Sequence, residues 1–213
     1  VDYGNLGTLF YSLGENKKAK EYKEKALAIK RELGDRKEEA ADYRNLGRFF
    51  HSLGNYEKAK EYTMKALAIR KEIGDKKGEA DDYVNLGSLF YLQSEYEKAM
   101  EYTEKALSIR KEMGDKKGEA ADYVNLAILF YSRGEYKKAK EHEGKALEIR
   151  NKIDDRKGEA TDYGNFGKLF QSLGNYEKAK EYTKKVIAIR KEIGDKMGEA
   201  DDYQKLGTLF QSL

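Results

Sequence analysis

The chain has 213 residues, 38% of them charged and 39% hydrophobic, a low apolar share that suits a core laid out as a thin stripe between helices. Lys plus Arg number 42 against 39 Asp plus Glu, a net charge of +3 with the signs interspersed, so no basic stripe for nucleic acid is present. The absence of Cys excludes disulfides and Cys-ligated metals and is compatible with a cytoplasmic setting, and no apolar run approaches a membrane span.

Asp-Tyr recurs every forty residues, at Asp2-Tyr3, Asp42-Tyr43, Asp82-Tyr83, Asp122-Tyr123, Asp162-Tyr163 and Asp202-Tyr203. A fixed period in this range marks a solenoid whose units pack on their neighbours. Residues 1–13 read as a first helix A, and because Val1 falls inside a repeat the natural N-terminus is expected to lie outside this sequence. In residues 34–73, Ala40, Tyr43, Leu46, Gly47, Phe50 and Leu53 form the apolar stripe of a helix A. Gly54 suits the left-handed residue past a helix end, and Asn55 suits the next N-cap. Tyr56, Ala59, Tyr62, Ala66, Ile69 and Ile73 then form the stripe of a helix B, and Gly74-Asp75 repeats the stop-and-start signal. The third unit carries Ser94 for the turn Gly; the fourth carries Ala127, His142 and Asp154 where its siblings have Gly, Tyr and Gly. Residues 201–213 read as a closing helix A. The expectation is all-α: a right-handed α-solenoid of antiparallel helix pairs, about eleven helices in a single array over residues 1–213.

Small residues recur where the two helices must approach, as Gly47/Ala59 with Gly7/Ala19, Gly87/Ala99 and Gly167/Ala179. Leu46 is expected to be buried. A polar Asp beside the core stripe recurs without exception, and so does a base near the end of each helix B: Lys30, Arg70, Arg110, Arg150 and Arg190. Either Asp82 pairs with Arg70, and so on along the chain, or both groups are simply exposed.

Tyr43, Leu46, Gly47, Phe50, Gly54, Tyr56, Ala59, Ala66 and Leu67 resemble the hallmark positions of the tetratricopeptide repeat, and the similarity recurs in every unit. The usual period there is about 34 residues with Pro after helix B. Here helix B runs on through Ile73 and the chain has no Pro. This longer form is similar to the array of Pins/LGN-type adaptors and more loosely to kinesin light chain, although those adaptors favour Asn where this chain has Thr8, Arg48, Ser88, Ile128, Lys168 and Thr208. Residues 55–83 and 175–203 differ at few sites, which fits recent duplication or deliberate engineering.

The resemblance implies that the A helices line a concave face. One row of each then faces a partner: Arg44, Asn45, Arg48 and His51; Val84, Asn85 and Tyr91; Val124, Asn125, Ile128 and Tyr131; Asn165 and Lys168. Asn is a mediocre helix former, yet it recurs in this row from Asn5 to Asn165 until Lys205 breaks it. A carboxamide both donates and accepts, so a ladder of them suits an extended peptide backbone, a use the resemblance also implies; the alternative is bonding to neighbouring helices or simple inheritance by duplication. Arg44, Arg48 and His51 make one end basic, and Val84, Val124, Ile128, Tyr91 and Tyr131 make the middle apolar. The expected partner is a peptide or protein, acidic with hydrophobic anchors, and neither nucleic acid nor membrane. The alternative is a structural or engineered scaffold without a specific ligand that self-associates end to end. His51 and His142 stand far apart, and the acidic pairs at helix starts suit the helix dipole, so no enzyme activity and no cofactor or metal is expected.

Overall fold

The computed structural model describes residues 2–211; the expected helical ends at Val1, Ser212 and Leu213 lie outside the described residues. Among the described residues there are eleven helices and no strand: α1 Tyr3–Ser12, α2 Asn16–Glu32, α3 Arg36–Ser52, α4 Tyr56–Glu72, α5 Lys76–Leu92, α6 Tyr96–Met113, α7 Lys116–Ser132, α8 Tyr136–Lys152, α9 Arg156–Ser172, α10 Tyr176–Glu192 and α11 Lys196–Gln211. Odd-numbered helices are the A helices of the repeat and even-numbered ones the B helices.

Side-chain caps start most of the helices, although α2 and α8 begin at Glu15 and Glu135 with no side-chain cap bond. Asn55 Oδ1 accepts the Lys58 N–H at 3.1 Å, and Asp75 Oδ1 accepts the Gly78 N–H at 2.9 Å. Past the ends, Gly54 and Gly74 both take φ of 72°, the left-handed region that L side chains resist. Two turns reach that region without Gly: Ser94 at φ 60° and Asp154 at φ 55°. Ser94→Gly and Asp154→Gly are each expected to raise stability by about 1 kcal/mol, read as a higher denaturation midpoint.

The chain forms two compact units, residues up to Ile109 and residues from Arg110 onward, and the division falls inside α6. Both are antiparallel helix pairs stacked on one another, as expected of an α-solenoid. In the first, Leu46, Phe49 and Phe50 of α3 pack with Ala19 and Leu27 of α2, Ala59 of α4 and Leu89 of α5. In the second, Phe166, Leu169 and Phe170 of α9 pack with Ala179 of α10 and Leu209 of α11. Gly47 makes the close approach: a Cβ there would lie 2.8 Å from Thr63 Oγ1 and 3.2 Å from the Ala59 carbonyl oxygen. Flat aromatic pairs close the hairpins, with Phe50 on Tyr62 at 5.4 Å and Phe170 on Tyr182 at 5.4 Å between ring centroids.

The recurring Asp and Arg do pair. Arg70 Nε lies 3.4 Å from Asp82 Oδ2, Arg110 Nη1 3.5 Å from Asp122 Oδ1, Arg150 Nη1 3.1 Å from Asp162 Oδ1, and Arg190 Nε 2.6 Å from Asp202 Oδ2. Asp82, Asp122 and Asp162 are fully buried. The guanidinium also reaches the next helix start, where Arg70 Nη1 donates to the Gly78 carbonyl at 2.8 Å. Each pair therefore ties the end of a B helix to the body of the following A helix. In the first repeat Lys30 takes the place of Arg and acts on a half-buried Asp42.

Candidate functional site

The A helices place most of the expected row at the surface. On α3, Asn45, Arg48 and His51 are exposed, while Arg44 is half-buried with Nη1 3.5 Å from Asp81 Oδ2, so part of its charge is already answered. On α5, Asn85 and Tyr91 are half-buried, and the half-buried Val84 packs against the core. On α7, Ile128 and Tyr131 are exposed and Asn125 is half-buried; on α9, Asn165 is half-buried and Lys168 exposed. Val124 corrects the expectation. It is 8% exposed, packed with Ala120 and with Ala146 of α8, so it belongs to the hairpin core and not to a groove wall. The carboxamides also differ in use: Asn5 Nδ2 donates to Asp2 Oδ2 at 2.7 Å, whereas Asn165 Nδ2 donates to Glu143 Oε1 of α8 at 2.9 Å.

The row is notched by clefts in one repeating register. In the first unit, Gly47, Arg48 and His51 of α3, Thr63 of α4, and Asn85 and Ser88 of α5 line a cavity of about 60 Å³. Eighty residues on, Ala127, Ile128 and Tyr131 of α7, Glu143 of α8, and Asn165 and Lys168 of α9 line one of about 220 Å³. In both, the Asn comes from the following A helix and forms the far wall.

Glu143 is not legible as a site residue from the repeat's hallmark positions. Its signal is a broken register: Thr63, Thr103 and Thr183 occupy the same place in their units. Each Thr hydroxyl donates to the carbonyl one turn back, at Ala59, Ala99 and Ala179, over 2.8, 2.8 and 2.9 Å. Where the Thr packs closely, at Gly47 and Gly87, an added Cβ would come within 2.8 and 2.9 Å of its hydroxyl. Ala127 carries that Cβ, and the Thr opposite it has become Glu143, so the two changes are coupled sterically.

Glu143 is 4% exposed. Burial pushes its carboxyl up to about 7, against the Asn165 hydrogen bond and the Arg150 charge. Burial likewise pushes Asp82 up to about 7 against Arg70, and Asp162 up to about 8 against Arg150. All three groups hold protons in the folded chain at a pH where the unfolded chain has released them. Their contribution to stability is therefore greatest below the unfolded carboxylate range and is lost as pH rises through about 7 to 8. The melting temperature is expected to be higher at pH 5 than at pH 8 in matched ionic strength; a rise toward pH 8 would contradict the burial assigned to these carboxyls. Among the described residues no group of three or more His, Cys, Asp or Glu could hold a metal ion.

A model of the tetratricopeptide repeat matches residues 2–72, 38–112, 83–152 and 119–192. No curated protein matches the sequence. Among solved structures, BtubC (BKLC) from P. vanneervenii is similar at a TM-score of 0.76 and 21% identity, over 89% of this chain and 81% of that one. Aspartyl phosphate phosphatase F from Bacillus subtilis is similar at 0.84 and 18%, over 97% of this chain and 53% of that one, so this chain spans about half its length. A Podosopora anserina putative kinesin light chain with nearly identical TPR-like repeats is similar at 0.65 and 16%, over 81% of this chain and 85% of that one. At these identities the likeness is one of fold.

Proposed function

Since the chain belongs to the tetratricopeptide repeat family, we propose that it is a protein–protein interaction module holding an extended peptide or a partner helix against the exposed row of its A helices. The observation that carries this reading is the repeated cleft, walled each time by a carboxamide from the next A helix. A carboxamide at a fixed step can meet peptide groups without reading sequence, the use carried by the resemblance to Pins/LGN-type adaptors. Preference then falls to the varied positions. Arg48 and His51 suit an acidic stretch, and Ile128 and Tyr131 offer exposed apolar surface to a hydrophobic anchor.

A peptide-library screen on the full chain tests the reading. Peptides that bind should lose about 3–10-fold in affinity with Asn85→Ala, the worth of one hydrogen bond, and more with Arg48→Glu when they are acidic. Binding indifferent to both substitutions would defeat it.

A second reading is a scaffold that stacks end to end. Tyr203 and Phe210 of α11 lie on the face that a following helix covers in α5, where Tyr83 and Phe90 pack on Tyr102. Light scattering that grows with concentration, and falls with Phe210→Ser, would favour stacking.

A further inference from the structure

The cleft at Glu143 differs in kind from its counterpart in the first unit. It is larger, about 220 against 60 Å³, and a buried carboxyl replaces the self-satisfied Thr hydroxyl. Its other walls are mostly apolar: Ala127, Ile128, Ala139 and Leu169, with Tyr131 beside them. A carboxylate at the back of an apolar cleft is complementary to a cation on a hydrocarbon stem. We propose that this cleft is a pocket for a single lysine side chain of a bound peptide, its ammonium on Glu143 and its methylenes against Ile128 and Leu169.

The geometry favours lysine over arginine. Asn165 Nδ2 already donates to Glu143 Oε1 at 2.9 Å, so the two parallel bonds of a guanidinium fork would have to share that oxygen with it. A compact ammonium needs one oxygen only. Three charged groups bear on the site besides Glu143. Arg150 of the same helix is committed to Asp162 of α9 at 3.1 Å, so it acts on Glu143 through space. Lys168, exposed on α9, lines the same cleft and would repel an incoming ammonium. Because burial holds the Glu143 carboxyl up at about 7, an ammonium must compete with a proton for it. Binding should therefore release a proton and tighten about tenfold between pH 6 and pH 8, as the ionised fraction rises.

The proposal rests on the peptide-binding reading for the source of the lysine, and its test is built on small probes so that the two fail separately. The full chain is titrated with Nα-acetyl-lysine N-methylamide and with Nα-acetyl-norleucine N-methylamide, which keeps the stem and lacks the charge. Methyl signals of Ala127 and Leu169 and the Glu143 carboxyl carbon are followed by NMR. The lysine probe is expected to bind saturably and at least tenfold more tightly at pH 8 than the norleucine probe. Glu143→Gln should erase that preference, and Lys168→Ala should strengthen binding of the lysine probe several-fold. Should Glu143→Gln disturb folding, Ala127→Gly with Glu143→Thr restores the Gly–Thr pairing of Gly47 with Thr63 and Gly87 with Thr103 and should erase the preference equally. Equal binding of the two probes, no binding of either, or lysine binding that survives both variants would overturn the pocket. A lysine-selective pocket in a chain that selects no peptide from a library would instead overturn the broader reading and leave the pocket standing.

Discussion

At pH 8, where Asp82 is ionised, replacing Arg70 with alanine is expected to destabilise the first unit by about 3–5 kcal/mol. Arg70 is 4% exposed and Asp82 is fully buried, so no solvent reaches in to answer the carboxylate once its partner is gone. The guanidinium also supplies the hydrogen bond to the Gly78 carbonyl at 2.8 Å, which ties the end of α4 to the start of α5. The loss should be larger at pH 8 than at pH 5, because an orphaned Asp82 would be carried as the neutral acid, and protonating it costs more as pH rises. Removing both charges is a different matter. Arg70→Met with Asp82→Leu replaces an ion pair of 3.4 Å by apolar contact, and such exchanges range from neutral to a gain of about 1–4 kcal/mol. Denaturant unfolding of the single and double variants measures both. A single-variant loss below about 1 kcal/mol would place Arg70 in water and refute the buried pair.

The buried pair is half legible in the sequence. Its two members recur at a fixed offset, which gives their proximity; their depth does not follow from the repeat, since an exposed pair would recur equally well. The turns and caps are more fully legible, because Gly54 acts through its own backbone and Asn55 through a side-chain bond to the Lys58 N–H three residues on, and neither needs tertiary context. The close approach at Gly47 is legible too, since a helix interior gives up a Cβ, at a cost in stability, where a neighbouring backbone such as that at Ala59 leaves no room for one. Val124 is misplaced by a fraction of a helical turn when read from sequence. It stands four residues after Ala120 and three before Ala127, both buried, and that spacing draws it onto α8. Glu143 escapes notice because a glutamate in a helix with this many charged residues looks like one more solvated side chain. Only its substitution into the Thr63, Thr103 and Thr183 register, together with the Ala127 exchange, marks it as buried.

Leu46→Ala should cost about 2–5 kcal/mol, the sum of lost transfer energy and the cavity left behind. Leu46 has no exposed surface and sits among Leu27, Phe49, Phe50, Ala59 and Leu89, so four helices share the space its side chain fills. Those helices cannot close in freely, because Gly47 already meets α4 at the limit of contact. The upper part of the range is therefore expected. Leu6 of α1 holds the same register but is only half-buried, and Leu6→Ala should cost clearly less. The location of the damage is as informative as its size. In a stack where each helix pair packs on its neighbours, a cavity weakens the pairs that line it before it weakens distant ones. Amide hydrogen exchange of Leu46→Ala should show protection lost first along α2 to α5, with α9 and α10 little changed. A uniform loss across all helices would mean that the chain unfolds as one cooperative body, and the nearest-neighbour account of its stability would fail.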